Sequence, residues 1–391
     1  MTRPTLTYIL PDKVGGVFSY VQNLLAHSTS GRFETHVILT HGKRDADTRS
    51  AGKLPAHKVT IFEHDLPGEN VYAVLKRLFR LLPPGPGVVV TNDWLELAML
   101  SVHDPGRMVV NITHGDYDYY YDLARKHEGV IDCFVAPSQM IWERLCSALP
   151  HRRDSVFYLP HGVEIPKAVR STQSAPIRGI YAGRLAENKG VLDLPAIDAV
   201  LRRRNVAVAW TIVGDGPDAE RARQSWAENE SVKWMGSLPR DEVLQLYPQQ
   251  DVFVLPSRAE GFPVTLAEAG AAGVVPVASD LPSGIPEIVV PEKTGYRVPV
   301  GDVMGFAMAL EELNRDRNRL ERMSAAIRQL VTGKFDIRRN AVQYDSLYTR
   351  FEELRRPRGR CGLHYGSRLD KPWLPNAFVR TVRSILSPRV H

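Results

Sequence analysis

The stretch DVFVLPSRAEGFPVTLAEAGAAGVVPVAS, residues 251–279, reads as strand, turn, helix and strand in succession. DVFVLPS is a short apolar run of the kind that fills a strand covered on both faces. Gly261-Phe262-Pro263 punctuates it, and Pro263 fits the first helical position, where its missing N–H costs nothing. Ala267, Ala269, Ala271 and Ala272, with Gly270 and Gly273, keep the helix slim against a sheet, and VVPVAS supplies the next strand. A strand followed by a helix and another strand implies a parallel α/β sheet.

The same alternation runs outward in both directions. Upstream in the second half lie IRGIYAGR, VAWTIVG and VKWMG, and GYRVPV follows. The first half repeats the pattern with TLTYIL, THVILT, KVTIF, VVVTN, MVVNIT and IDCFVAPS, with helical segments at Val17–Ala26 and Trp94–Val102. The fold class is α/β, with two doubly wound, Rossmann-like domains. Domain boundaries fall at 1–162 and 177–335, with a Pro/Ser/Thr-rich linker over 163–176, a helical segment at 336–356 and a basic tail at 357–391. Ligands of such sheets bind beyond the carboxyl ends of the strands, and a cleft between two domains is the expected place for chemistry.

Length and composition agree with this class. The 391 residues suit two domains, and 43% hydrophobic with 24% charged residues is ordinary for a globular chain. No apolar run reaches the roughly 18 residues that span a bilayer. The opening MTRPTLTYILPDKVGG lacks a signal-peptide core, and Cys133, Cys146 and Cys361 have neither even number nor metal spacing. A reduced, cytoplasmic protein is the expectation. The net charge of +6 concentrates in the tail, where nine Lys/Arg face one acid, Asp370, between Arg355 and His391. A near-neutral body argues against a nucleic-acid surface. GPGVVV and GDGPDA lack the third glycine of a dinucleotide fingerprint, and no Walker-type lysine motif occurs.

Chemistry-bearing residues cluster at the predicted strand ends. Past Pro263, the backbone N–H groups of Val264, Thr265 and Leu266 have no intrahelical acceptor, which suits a phosphate at a helix N-terminus. Glu260 precedes this helix, and Glu268 lies about 7.5 Å of helix rise beyond Pro263. Carboxylates beside phosphates repel them unless they accept hydrogen bonds from neutral hydroxyls. A diphosphate with a sugar on each side, a nucleotide sugar, meets that condition; two solvated surface charges are the plain alternative. Gly183-Arg184 ends the IRGIYA strand, with Lys189-Gly190 following. Two cations there would neutralise a diphosphate. In the first half, Gly15-Gly16 open a helix, where a tight turn is an equal explanation. His114 ends the MVVNIT strand ahead of a Tyr/Asp-rich segment, with Asp93 a weaker candidate on the same rim.

Taken together, Gly15-Gly16, Gly183-Arg184-Leu185 with Lys189-Gly190, Val213-Gly214-Asp215-Gly216-Pro217 and the E-x7-E run from Glu260 to Glu268 resemble the retaining glycosyltransferases of the GT-B fold, family 4. The resemblance covers about residues 8–350. It implies two domains facing a closing cleft, with a C-terminal helix crossing back to the first domain. It implies that Arg184 and Lys189 bind the diphosphate, Glu268 the ribose and Glu260 the transferred sugar. Backbone amides of Gly261, Phe262, Val264, Thr265 and Leu266, with Gly16, would complete the donor site, and Gly15, Gly183 and Gly214 would line it. His114 matches the family's histidine beside the transferred sugar. Chemistry would be same-face attack, with the departing phosphate taking the acceptor's proton. Departures are His161-Gly162-Val163-Glu164 for Asn-Gly-Val-Asp, and Ser283-Gly284-Ile285-Pro286-Glu287 for Gly-Gly-x-Pro-Glu.

No cofactor and no metal is expected, although Asp45-x-Asp47 and Asp116-x-Asp118 match a metal-holding pattern of another transferase fold. Expected partners are a UDP- or GDP-sugar donor and a saccharide or lipid-linked acceptor. Met235–Leu238 would lie near the base, and Tyr117, Tyr119, Tyr120 and Tyr121 could stack on sugar rings or pack the domain. In the tail, Phe378, Val382, Ile385 and Leu386 share one helical face, apart from Arg380 and Arg383. That face is expected to pack on the first domain, with an anionic membrane surface as the alternative. A nucleotide-sugar epimerase or a non-catalytic donor-binding subunit are the competing functions.

Overall fold

The computed structural model describes residues 3–13, 15–44, 54–171, 176–226, 232–359, 361–363 and 365–386. The Asp45-x-Asp47 match lies outside them. The chain forms two compact units, one of Met1–Pro137, Ile141–Pro160 and Asn340–His391, the other of Ser138–Met140 and His161–Arg339.

The first unit holds strands β1 (Thr5–Pro11), β2 (Glu34–Gly42), β3 (Lys58–His64), β4 (Gly87–Thr91), β5 (Met108–Ile112), β6 (Cys133–Ala136) and β7 (Val156–Tyr158). They form one parallel sheet in the order β3-β2-β1-β4-β5-β6-β7. β7, a three-residue strand, has no counterpart among the apolar runs read from the sequence. The second unit holds β8 (Ile177–Ala182), β9 (Val208–Val213), β10 (Val232–Gly236), β11 (Val252–Leu255), β12 (Val275–Ser279) and β13 (Tyr296–Val298), parallel in the order β10-β9-β8-β11-β12-β13. The central strands are apolar on both faces, as Val88, Val89, Val90, Val252, Phe253 and Val254 show by full burial.

In both sheets the order reverses beside the first strand, between β1 and β4 and between β8 and β11. Loops leaving the carboxyl ends of those two strands run in opposite directions and open a crevice. That topology positions the candidate site.

Two sequence expectations need revision. Residues 163–171, read as linker, pack into the second unit. Val163 bridges Asp336, and the buried Arg170 pairs with Asp251 at 2.7 Å, which Arg178 also holds at 2.8 Å. The tail helix, Asn376–Leu386, does dock on the first unit, but not by its apolar face. It buries Val379 and bonds through Asn376 and Arg383, leaving Phe378, Ile385 and Leu386 exposed. Polar partners on the body outcompeted the stripe of the helix. The helix Ile337–Thr349 carries the chain back into the first unit, where Tyr344 donates to the Leu159 carbonyl at 2.7 Å and Tyr8 to the Tyr348 hydroxyl at 3.2 Å.

Candidate active site

In the second unit, the loops after β8 and β11 are stitched together. The Arg258 N–H donates to the Asn188 carbonyl at 2.9 Å, and Lys189 Nζ meets Glu260 Oε1 at 2.8 Å. Ser257 Oγ, buried at the end of β11, donates to the same carboxylate oxygen at 2.7 Å. The sequence separates Lys189 and Glu260 by 71 positions; the adjacency of β8 and β11 makes them an ion pair. Gly190 has φ +69, and a Cβ there would stand 1.9 Å from the Pro256 carbonyl oxygen, so the lysine loop can approach β11 only with glycine. Arg184 is exposed and has no side-chain partner among the described residues, which leaves its guanidinium available.

The Arg184 loop is set from beneath. Tyr181 donates to the Arg184 carbonyl at 2.8 Å, Gly183 N–H to Val213 at 3.0 Å and Leu185 N–H to Asp215 at 2.9 Å. Gly214, expected to line the ligand, makes room for backbone. At φ +129, a Cβ there would meet the Gly183 carbonyl oxygen at 1.9 Å. The Gly-Asp-Gly turn is therefore a support for Gly183-Arg184.

The opening helix begins at Val264, with Pro263 as the residue before it rather than the first within it. The Pro263 carbonyl then accepts from both Leu266 and Ala267 at 3.1 Å. Leu266 N–H is thus engaged, and Val264 and Thr265 remain as the amides facing outward from this end. Phe262 is buried against His161 and Phe335, at ring distances of 5.6 and 5.1 Å, and anchors the turn, while the Gly261 carbonyl accepts from Gly284 at 2.7 Å. Met235 is exposed at the end of β10.

Glu268 is 4% exposed, and its partner was invisible in sequence. Arg240, at the start of the helix Arg240–Leu246, donates from Nε to Glu268 Oε1 at 2.7 Å and from Nη1 to Glu164 Oε1 at 3.1 Å. Burial pushes the Glu268 carboxyl above its ordinary range, and the guanidinium pulls against that shift. Arg240 reads in sequence as one more charge in SLPRDEV, because its partners lie 28 and 76 positions away.

In the first unit, His114 follows β5, and its Nε2 lies 2.6 Å from Asn92 Oδ1. Asn92 spends its Nδ2 on the Ile9 carbonyl at 2.7 Å, so Oδ1 accepts and His114 is the Nε2–H tautomer. Burial pulls the imidazole down to about 3, so it is neutral at pH 7. Asp93 caps the next helix and accepts from the exposed Tyr119 hydroxyl at 2.5 Å. Glu96 is fully buried, accepts the Asn92 and Asp93 N–H groups at 2.7 Å each, and is pushed up to about 8 by burial and by the nearby Asp93. Asp116 and Asp118 are both held by Arg144, which also covers the ring of Tyr121 at 4.3 Å. Gly15 and Gly16 open the helix Gly16–His27 with free space where a Cβ would stand.

Residues 168–330 match the family described as Glycosyl transferases group 1. The chain is 30% identical over 225 residues to a glycogen synthase of Mycobacterium tuberculosis, covering 55% of this chain and 52% of that one. It is 27% identical over 379 residues to a GDP-mannose-dependent alpha-(1-6)-phosphatidylinositol monomannoside mannosyltransferase of the same organism, covering 86% and 95%. The matched stretch thus spans about half the length of the first of these relatives. The crystal structure of Anabaena Alr3699/HepE in complex with UDP-glucose shares the fold, with TM-score 0.70 at 17% identity over 88% of this chain and 99% of that one. All second-unit residues from Gly183 to Glu268 fall inside the matched segment. Residues 168–330 carry a glycosyl transferases group 1 domain within a chain of the GT-B fold.

Proposed function

We propose that the chain is a retaining glycosyltransferase that moves a hexose-type sugar from a nucleotide diphosphate sugar to a saccharide or lipid-linked acceptor, in synthesis of a cell-surface polysaccharide. The observation that carries this reading is the Lys189–Glu260 pair, 2.8 Å apart at the reversal point of the second sheet, with Arg184 at the same strand end and without a side-chain partner among the described residues. A cation meets the diphosphate; a carboxylate beside it, already shared between Lys189 and Ser257, accepts from sugar hydroxyls. Glu268, held in place by Arg240, accepts from the ribose hydroxyls, and the Val264 and Thr265 amides meet phosphate oxygens. His114 takes part as a neutral hydrogen-bonding group rather than as a charge.

In the reaction, the bond from the anomeric carbon to the leaving phosphate oxygen breaks and a bond to the acceptor oxygen forms on the same face. The acceptor's proton passes to the departing diphosphate. Arg184 and Lys189 stabilise the negative charge that grows there, so no metal is called for. The relative named as GDP-mannose-dependent and the fold neighbour solved with UDP-glucose support a nucleoside diphosphate sugar as donor class.

A thermal-shift panel of UDP, GDP and ADP with their sugars, run in EDTA on wild type and Lys189→Ala, tests this. At about 100 times Kd, a ligand bound only by the native state adds roughly 2.7 kcal/mol. One base stabilising wild type and losing that effect in Lys189→Ala is the expected result. Equal stabilisation of both proteins, or of neither, sinks the assignment.

A further inference from the structure

The helix Asn376–Leu386 is fixed to the first unit along one side. Val379 is fully buried. Asn376 accepts the Asn70 N–H at 2.8 Å and donates to Glu69 at 2.9 Å. Arg383 reaches Asp370 at 2.7 Å and the Pro67 carbonyl at 2.6 Å, and Asp370 accepts the Val71 N–H at 2.9 Å. These bonds set the rotation of the helix. Phe378 and Ile385, seven positions apart, are thereby turned off the docked side, while Val382 is half-buried and Leu386 stands exposed where the helix ends.

What faces solvent is unusual for a surface helix. Phe378, Ile385 and Leu386 are 52%, 76% and 71% exposed, and Trp373, just ahead of the helix, is 73% exposed. Arg368, Lys371 and Arg380 are exposed and carry no ion pair among the described residues. A pocket of about 850 Å³ opens beside the helix, walled by Arg44, Arg380, Arg383, Trp94 and Tyr365. Asp65 answers Arg44 at 3.0 Å and Asp370 answers Arg383 at 2.7 Å, which leaves Arg380 as the surplus charge. Trp94 opens the helix that follows β4, so the pocket borders the carboxyl ends of the first sheet.

We propose that this face docks on an anionic phospholipid bilayer. Trp373, Phe378, Ile385 and Leu386 enter the interfacial layer, and the surplus cations of the tail lie near headgroup phosphates. Apolar insertion and basic charge are the two signals that together give stable but reversible attachment. The charge on this face chooses the occupant: Arg368, Lys371 and Arg380, exposed and without an ion pair among the described residues, fit an anionic surface. One face of an 11-residue helix falls far short of the roughly 800 Å² per partner that a stable dimer buries. The consequence is that a lipid-linked acceptor would meet the first unit at its strand ends. The inference rests on the first unit alone and stands apart from the donor-site reading.

The test is sedimentation of the full chain with phosphatidylcholine vesicles, with and without roughly one-third phosphatidylglycerol, at about 0.1 M and 0.5 M salt. Wild type is expected to bind the anionic vesicles at least about tenfold more tightly than neutral ones, and to release them in high salt. The double variant Ile385→Glu, Leu386→Glu should bind on the order of tenfold more weakly at an unchanged melting temperature, since both side chains are exposed. Absence of wild-type binding, or equal binding by the variant, overturns the proposal. So does a concentration-dependent dimer, abolished by the same variant, in the absence of vesicle binding.

Discussion

The two sheets reverse strand order at the same place and solve the problem of buried charge there in opposite ways. Where β8 and β11 end, charges are paired: Lys189 with Glu260, and Arg240 with Glu268 and Glu164. Where β1 and β4 end, charge is removed: Glu96 is raised to about 8 and His114 lowered to about 3, both chiefly by burial. A charge pair can open to a ligand, the cation meeting an anion and the carboxylate accepting from a donor. A group neutralised by burial offers only hydrogen bonds. The same strand-order reversal thus carries paired charges in one unit and neutralised groups in the other, which is why the site, and not the fold, argues function.

The largest effect that would break this contrast is expected from Arg240→Ala. Removing one partner of a buried pair leaves Glu268 uncompensated and costs about 3–5 kcal/mol; a denaturant titration showing less than about 1 kcal/mol would mean that Glu268 is reached by water. Next is Lys189→Ala, for which turnover should fall roughly 10²–10³-fold, through kcat more than KM, as for loss of one donor at a developing oxyanion. Unchanged kcat would remove Lys189 from the leaving-group role.

A glycine pair sharpens the comparison further. Gly214→Ala drives a Cβ to 1.9 Å from the Gly183 carbonyl at φ +129, so about 1–3 kcal/mol of stability should go. Gly16→Ala has free space and should stay within about 0.5 kcal/mol in thermal melts. Lost activity in a stable Gly16→Ala would then report backbone approach to substrate.

The last effect is in pH. Glu96 holds its proton in the folded state up to about 8, above its unfolded value, so it costs stability as pH rises from the ordinary carboxylate range to about 8. His114 is depressed to about 3, so it costs stability as pH falls below its unfolded value near 6.5. Between about 4.5 and 6.5 the two slopes cancel, and from 6.5 to 8 only Glu96 acts, at about 1.4 kcal/mol per pH unit. Glu96→Gln should flatten that upper limb of the melting-temperature profile; a limb left intact would mean that Glu96 is already ionised at neutral pH.

The second sheet was legible strand by strand, because runs such as DVFVLPS and VVPVAS are apolar, short and bounded by turn residues. Gly183, Arg184, Lys189 and Glu260 were legible as strand-end residues for the same reason. Glu268 stands out in sequence by its spacing from Glu260, whereas the arginine that holds it does not. Arg240, Glu96 and Asn92 carry no local signal, since a charged or polar residue at a helix start is ordinary. The direction of the tail helix was misjudged because amphipathic spacing states which residues share a face, not which face the body will accept.

The sequence by itself therefore determined the alternation of strands and helices, the turn ahead of Val264 and the residues offered at strand ends, all properties of contiguous segments. Tertiary structure alone decided that Lys189 meets Glu260, that Arg240 serves both Glu268 and Glu164, and that Gly214 yields to the Gly183 carbonyl. Those outcomes depend on which strands lie side by side and on how much water is left around each charge. Both are set by the packing of segments distant in the chain, where the energy of a charge changes with burial more than with its neighbours in sequence.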